Sequence, residues 1–286
     1  MVVKVPGSGC FKRLEGAARS IWEAVEYPAD VDEVVSGLCL EYGGDPGQIA
    51  EDTASFLSQL LCCDLVAALE KEPGPEDRQR RRYLWLLKRS LVNLTYPEYE
   101  LLIATVDHFS KEQNLVKRQE MVRDIRRLYS DRYRDLLDSK NCGNARVSFA
   151  HTMVGLQRLH NVERCAETLF AEGVDGDFLE AGVCRGGMAI FMRALQVSHG
   201  ESQRNVWAAD SFMGLPEPQD KVDLEAGMDL TVKKHPWLSV GVGDVKDHFR
   251  RYGLLDAHVH FLSGWFQESL GSAPIRQLAL LRIDAD

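Results

Sequence analysis

The sequence predicts an α/β fold in two parts: a small α+β unit of winged-helix order, then an open sheet whose short apolar strands alternate with helices. Three observations support this. From Ala145 onward, apolar runs of strand length alternate with helical patterns. The first 70 residues read instead as strand, strand, helix, helix, helix. Between the two lies Glu70–Arg82 (EKEPGPEDRQRRR), where prolines, a glycine and dense charge have the composition of a linker. The expected domains are 1–70, a linker at 71–82, and 83–286, the last with a helical lead-in over 83–145 and the sheet over 146–286.

Composition narrows the function classes. A chain of 286 residues with 45% hydrophobic and 27% charged residues is long enough for two ordinary cores. No uncharged apolar run approaches the ~18 residues of a membrane span, and Met1–Gly7 lacks the apolar stretch of a secretory signal. The seven cysteines include the adjacent Cys62 and Cys63 and form no Cys-x-x-Cys pair, which fits reduced thiols in the cytoplasm. Between Arg19 and Lys71 there is no lysine or arginine, against eleven aspartates and glutamates. Such a stretch repels phosphate backbones, so no nucleic-acid partner is expected there.

The elements of the first unit follow from local signals. Val2–Val5 and Cys10–Leu14 flank Pro6-Gly7-Ser8-Gly9, the joint of a small hairpin. Ala18, Ile21, Trp22 and Val25 form a short apolar stripe. Asp30 and Glu33 make a capping box opening a helix that buries Val31, Val34, Val35 and Leu38, and Gly43-Gly44 closes it. Asp45, with Pro46 at the first helical position, starts the next, whose apolar face is Ile49, Phe56, Leu57, Leu60 and Leu61. After the linker, Leu84, Leu87, Leu91 and Leu94 share a helix face, and the pattern stays helical to about Asp138.

The chemistry lies further on. DFLEAG (Asp177–Gly182) is a buried strand running into Gly182–Gly187, after which MAIFMRALQV continues as a helix. A strand, a glycine turn and a helix N-terminus form a loop whose backbone can approach a nucleoside-type cofactor. The strand NVWAAD (Asn205–Asp210) ends on an acid placed to accept ribose hydroxyls, or alternatively to serve as a loop or helix-capping aspartate. HVHFLSG (His258–Gly264) runs into Trp265-Phe266, where an aromatic could pack on an adenine. QLALLRIDAD (Gln277–Asp286) ends on Asp284 and Asp286, two carboxylates that suggest a hard divalent cation such as Mg²⁺.

Two resemblances add to this. The run from Ile21 to Val66 resembles PqqD-like domains, which implies binding of a leader peptide at residues 1–70 by strand addition, although only two short strands are available as an edge. YLWLLKRSLVNLTYPE, SFAHTMVGLQRLHNVERCAETLFAEGVDGDFLEAGVCRGGMAIFMRAL, NVWAADSFMGLPEP and YGLLDAHVHFLSGWFQESLGSAPIRQLALLRIDAD resemble the TylF/NovP (macrocin) O-methyltransferase family. That resemblance implies a Rossmann-like class I methyltransferase sheet using S-adenosylmethionine and Mg²⁺ to methylate a hydroxyl of a sugar, or here of a leader-guided peptide. By position, Thr152, Met153, Glu180, Ala181, Gly182, Arg185, Gly186, Gly187, Asp210, Ser211 and Phe212 would line the cofactor. Gly264, Trp265 and Phe266 would border its adenine, Asp284 would hold the metal, and Asp286 would be the general base. Residues 99–145, more charged than the family's connecting loop, would form an altered substrate lid. The family continues beyond the fourth strand with an Asp-Asp pair that completes the metal site. The chain as given, ending at Asp286, is therefore an incomplete sheet expected not to catalyse alone. The alternative is a PqqD-like peptide-binding chaperone carrying an inactive methyltransferase remnant. A homo-oligomer is also expected.

Overall fold

The computed structural model describes residues 2–4, 11–13, 16–18, 20–21, 31–62, 74–96, 150–217, 231 and 233–284. The chain divides into two compact units, Met1–Trp85 and Leu86–Asp286.

In the first unit, β1 (Val2–Lys4) and β2 (Phe11–Arg13) pair antiparallel, and the expected joint Pro6-Gly7-Ser8-Gly9 lies outside the described residues. Helices α1 (Val31–Tyr42) and α2 (Pro46–Cys62) follow. Pro46 leads α2, and the carboxylate of Asp45 accepts the backbone N–H of Gln48 at 3.0 Å, the capping bond expected of an aspartate before the first turn. Their core is Ile21, Val34 and Leu38, with Ile49, Phe56 and Leu57 packed against it, whereas Val31, expected on the buried face, is 46% exposed at the start of α1. Asp30 lies outside the described residues, as does the side chain of its expected capping partner Glu33. Helix α3 (Pro75–Leu91) begins inside the segment read as a linker. Arg80 and Arg81 reach back to Asp77 one turn earlier, so the basic run is a helix face carrying its own counter-charge.

In the second unit, α4 (Gly155–Ala171) precedes β3 (Asp177–Ala181), and α5 (Gly187–Ser198) leads to β4 (Val206–Asp210). Then come α6 (Val242–Arg251), β5 (Val259–Ser263), the single turn α7 (Phe266–Ser269) and β6 (Leu278–Ile283). The strands form one parallel sheet in the order β5-β4-β3-β6. The chain steps outward from β3 to β4 and β5, then returns to the far side of β3. That reversal falls at the carboxyl ends of β3 and β6, the place where open α/β sheets receive ligands.

Strands β3 and β4 are buried at all but one position each, as expected where both faces of a parallel sheet are covered. Every residue of α5 from Gly187 to Gln196 is buried, including Arg193 at 1% exposure. The Arg193 guanidinium is fully engaged, by the Asp256 carboxylate, Gln196 Oε1 and the carbonyls of Ser202 and Arg204. Among the described residues no helix is long and apolar enough to cross a membrane. The helical lead-in beyond Tyr96 lies outside them.

Candidate functional site

The carboxyl ends of β3, β4 and β5 converge on one set of turns. Gly182, Cys184 and Gly186 after β3, Phe212 after β4 and Gly264 after β5 all have positive φ, at +90°, +48°, +86°, +54° and +135°. Only three non-glycine residues among those described adopt such a conformation, and Cys184 and Phe212 are two of them. Left-handed backbone costs an L-residue about 1 kcal/mol, so its concentration at the strand ends marks where the fold gives up local comfort for shape.

The glycine loop is built from below. Gly186 must be a glycine: beyond its positive φ, a Cβ there would stand 2.6 Å from Val245 Cγ1 of α6. Gly187 starts α5 against the strap 150–153. Its N–H donates to the His151 carbonyl at 3.0 Å, and a Cβ would meet that oxygen at 2.5 Å. The strap is held from behind as well, the N–H groups of His151 and Thr152 both donating to the Leu91 carbonyl. Arg185 Nη1 donates to the Ala150 carbonyl at 3.0 Å, and His248 Nδ1 lies 2.8 Å from the Arg185 carbonyl. The His151 ring stacks at a tilt on His248 and bonds the Tyr252 hydroxyl at 2.8 Å. Burial, followed by the charges of His248, Arg251 and Arg185, lowers the His151 pKa to about 4, so the ring is neutral at pH 7.

Asp210, at the end of β4, turns its carboxylate into this loop. Oδ2 accepts the N–H groups of Val183 at 2.7 Å and Cys184 at 3.0 Å, while Oδ1 accepts that of Phe212 at 2.9 Å. Ser211 Oγ donates to the Gly214 carbonyl and accepts Met213 N–H, closing the next turn.

Glu180 is 2% exposed beside the register partner Arg282 of β6. Its Oε1 accepts Arg282 Nη1 at 2.6 Å, while Oε2 has no hydrogen-bond partner among the described residues. Burial pushes its pKa up to about 8, against the lowering influence of Arg282. The second guanidinium nitrogen of Arg282 holds Asp284 at 2.7 Å, so one cation bridges a buried carboxylate under the loop and an exposed one at the carboxyl end of β6. Asp284 follows directly on β6, its N–H donating to the Ala181 carbonyl at 2.8 Å.

The structure thus brings Thr152, Met153, Glu180 to Gly187, Asp210, Ser211, Phe212 and Gly264 to one end of the sheet. Trp265, 37% exposed, caps α7 beside them. Phe266 packs with Leu262 and Ile275 against Leu179, Ala181 and Trp207 on a face of the sheet. Asp286 lies outside the described residues. A divalent cation finds no ready seat among those described: no three acidic, histidine or cysteine side chains converge, and Asp284 is held by Arg282. Sequence reasoning missed Arg282, His248 and Tyr252. Arg282 alone left a signal, as a cation in an otherwise apolar strand.

Comparison with known proteins gives the family. Residues 80–286 match the family model described as macrocin-O-methyltransferase (TylF), and residues 1–66 match that of coenzyme PQQ synthesis protein D (PqqD). A relative from Streptomyces olivaceus, 8-demethyl-8-(2,3-dimethoxy-alpha-L-rhamnosyl)-tetracenomycin-C 4'-O-methyltransferase, is 47% identical over 153 residues, covering 52% of this chain and 57% of its own. The mycinamicin III 3''-O-methyltransferase of Micromonospora griseorubida is 40% identical over 154 residues, 52% of this chain and 59% of its own. The solved structure of the O-methyltransferase NovP matches at a TM-score of 0.56 and 33% identity, covering 72% of this chain and 73% of that one. The chain spans a little over half the length of the curated relatives it matches.

Proposed function

The chain belongs to the macrocin-O-methyltransferase (TylF) family, and we propose from that premise that it acts in S-adenosylmethionine-dependent O-methylation of a sugar hydroxyl on a natural product. The observation that carries this is the glycine loop after β3, shaped by positive-φ residues and set where the strand order reverses. The acceptor class follows from the relatives, named for methylation at a 4' and a 3'' oxygen, one of them of a rhamnosyl compound.

When bound, the cofactor would supply an electrophilic methyl group on a sulfonium. The chain's own part is to seat and align. In this reading the strap at Thr152-Met153 and the loop Gly182–Gly187 would form one wall of the seat, and the turns at Ser211-Phe212 and Gly264-Trp265 the other. In-line displacement needs the acceptor oxygen held close to the reacting carbon, and its proton removed. The sequence offers Asp286, two residues beyond Asp284, as the group that takes that proton. Mg²⁺ enters this reading on the Asp284-x-Asp286 spacing alone, since the described residues by themselves do not form a seat for it.

Calorimetry of the chain with S-adenosylhomocysteine tests the seat, with micromolar binding expected. A product-release assay with hydroxylated sugar acceptors, with and without Mg²⁺, tests the transfer. The match of residues 1–66 to PqqD favours a second component, a peptide partner for the acidic first unit. A chain that binds such a peptide but no S-adenosylhomocysteine would instead be a peptide-binding protein with an inactive second unit.

A further inference from the structure

We infer that Asp210 is a positioning residue that folds the glycine loop, and that it is not the acceptor of the cofactor's ribose hydroxyls. The inference rests on the loop being a cofactor seat. Val183 and Cys184 follow β3 where the strand ladder has ended, so their consecutive N–H groups lack the partners that a strand would supply. Val183 is 4% exposed, and a buried N–H left unpaired is destabilising. Two successive N–H groups leading into a left-handed residue, here Cys184 at φ +48°, form a concavity that binds anions. In many nucleotide-binding loops that anion belongs to the ligand. Here it is the protein's own carboxylate: Asp210 Oδ2 receives both N–H groups, at 2.7 and 3.0 Å.

The other oxygen organises the next turn. Oδ1 accepts Phe212 N–H at 2.9 Å and so holds the second strained residue of the site, at φ +54°. The Asp210 carbonyl accepts the Gly264 N–H at 3.1 Å, tying in the end of β5. One residue therefore joins the turns after β3, β4 and β5. Three N–H donors already point at its carboxylate, leaving it ill suited to accept a pair of ribose hydroxyls as well. Its contribution to ligand affinity acts through the shape of the loop.

The test compares wild type, Asp210→Ala and Asp210→Asn in two measurements on the full chain. The first is amide hydrogen exchange without ligand. In Asp210→Ala, exchange at Val183 and Cys184 should accelerate about tenfold or more relative to Leu179 in the middle of β3, the effect of losing a charge-assisted bond. Unchanged exchange at those two amides overturns the inference. The second compares affinity for S-adenosylhomocysteine with that for its 2'-deoxy and 3'-deoxy analogues. If Asp210 acts through the loop, both variants bind more weakly but pay the same deoxy penalty as wild type. If it touches the ribose, the penalty shrinks toward none in the variants, and the inference fails. Asp210→Asn carries both comparisons should the alanine variant not fold, because its amide oxygen can cap only one of the two turns. Should wild type bind no S-adenosylhomocysteine, the cofactor reading falls, and the exchange measurement still decides what Asp210 does.

Discussion

Gly187 and Glu180 show how single residues at this site are constrained by opposite physics. At Gly187 the constraint is space. An added Cβ would press on the His151 carbonyl at 2.5 Å and on Thr152 Cβ at 2.7 Å, and the strap carrying them is pinned by Leu91 and Tyr252. Gly187→Ala should therefore cost about 3 kcal/mol, the upper range for overpacking, measured as a shift in the urea midpoint. A cost below 1 kcal/mol would mean that the strap yields. At Glu180 the constraint is charge. Its folded pKa of about 8 stands above the ordinary 4.5, so as pH rises from about 5 to about 8 the unfolded chain releases a proton that the folded chain keeps. Wild type should lose stability over that window relative to Glu180→Gln, and the difference should level off above pH 8. Denaturant titrations at pH 5 and pH 8 check this, and a difference that stays flat between them would show that Arg282 keeps the carboxylate ionised.

At the scale of elements, α5 is the part of the second unit whose placement depends most on polar bonds inside the core. Arg193 is buried on a helix that has no polar face, and its only carboxylate partner among the described residues, Asp256, lies on the connection between α6 and β5. Removing that partner leaves a buried guanidinium with neutral acceptors only. Only the arginine of this pair is buried, the Asp256 side chain being 40% exposed, so Asp256→Ala should cost about 2 kcal/mol, between the values for a buried pair and for a surface bridge. Thermal unfolding compared with Asp247→Ala, which breaks an exposed pair on α6, separates the two cases. The strap and α6 form a second polar joint, centred on His151. Its pKa of about 4, against the ordinary 6.5, means stability present above pH 6.5 and lost as pH falls through 4. His160, lowered to about 3 by burial and then by Lys88, adds to the same slope. His151→Asn should flatten the decline in melting temperature between pH 6.5 and pH 4, and an unaltered decline would place its cause elsewhere.

At the scale of the whole molecule, charge separates the first unit from the second. The stretch from Ser20 to Glu70 carries eleven acids and no lysine or arginine. A basic peptide should therefore bind it more weakly as salt rises, and duplex DNA should not bind at all. Fluorescence anisotropy with a labelled basic peptide and a labelled duplex, from 50 to 500 mM salt, tests this on the full chain. Duplex binding at low salt would refute the proposed partner class.

What the sequence determined by itself was the fold class, the order of the strands along the chain and the glycine turn after β3. Those features depend on local signals: the capping aspartate before Pro46, the apolar runs of β3 and β4, and the glycines after β3. Thr152, Glu180, the glycine loop, Asp210 and Asp284 were all legible as candidates in the same way, because each stands at an element's end. Only the tertiary structure decided which of them touch. The β5-β4-β3-β6 order brings Asp210 under the loop 26 residues before it, and puts Arg282 beside Glu180, 102 residues away. No local pattern encodes those pairings, since they arise from the register of parallel strands that are joined through helices and packed to bury both faces of one sheet.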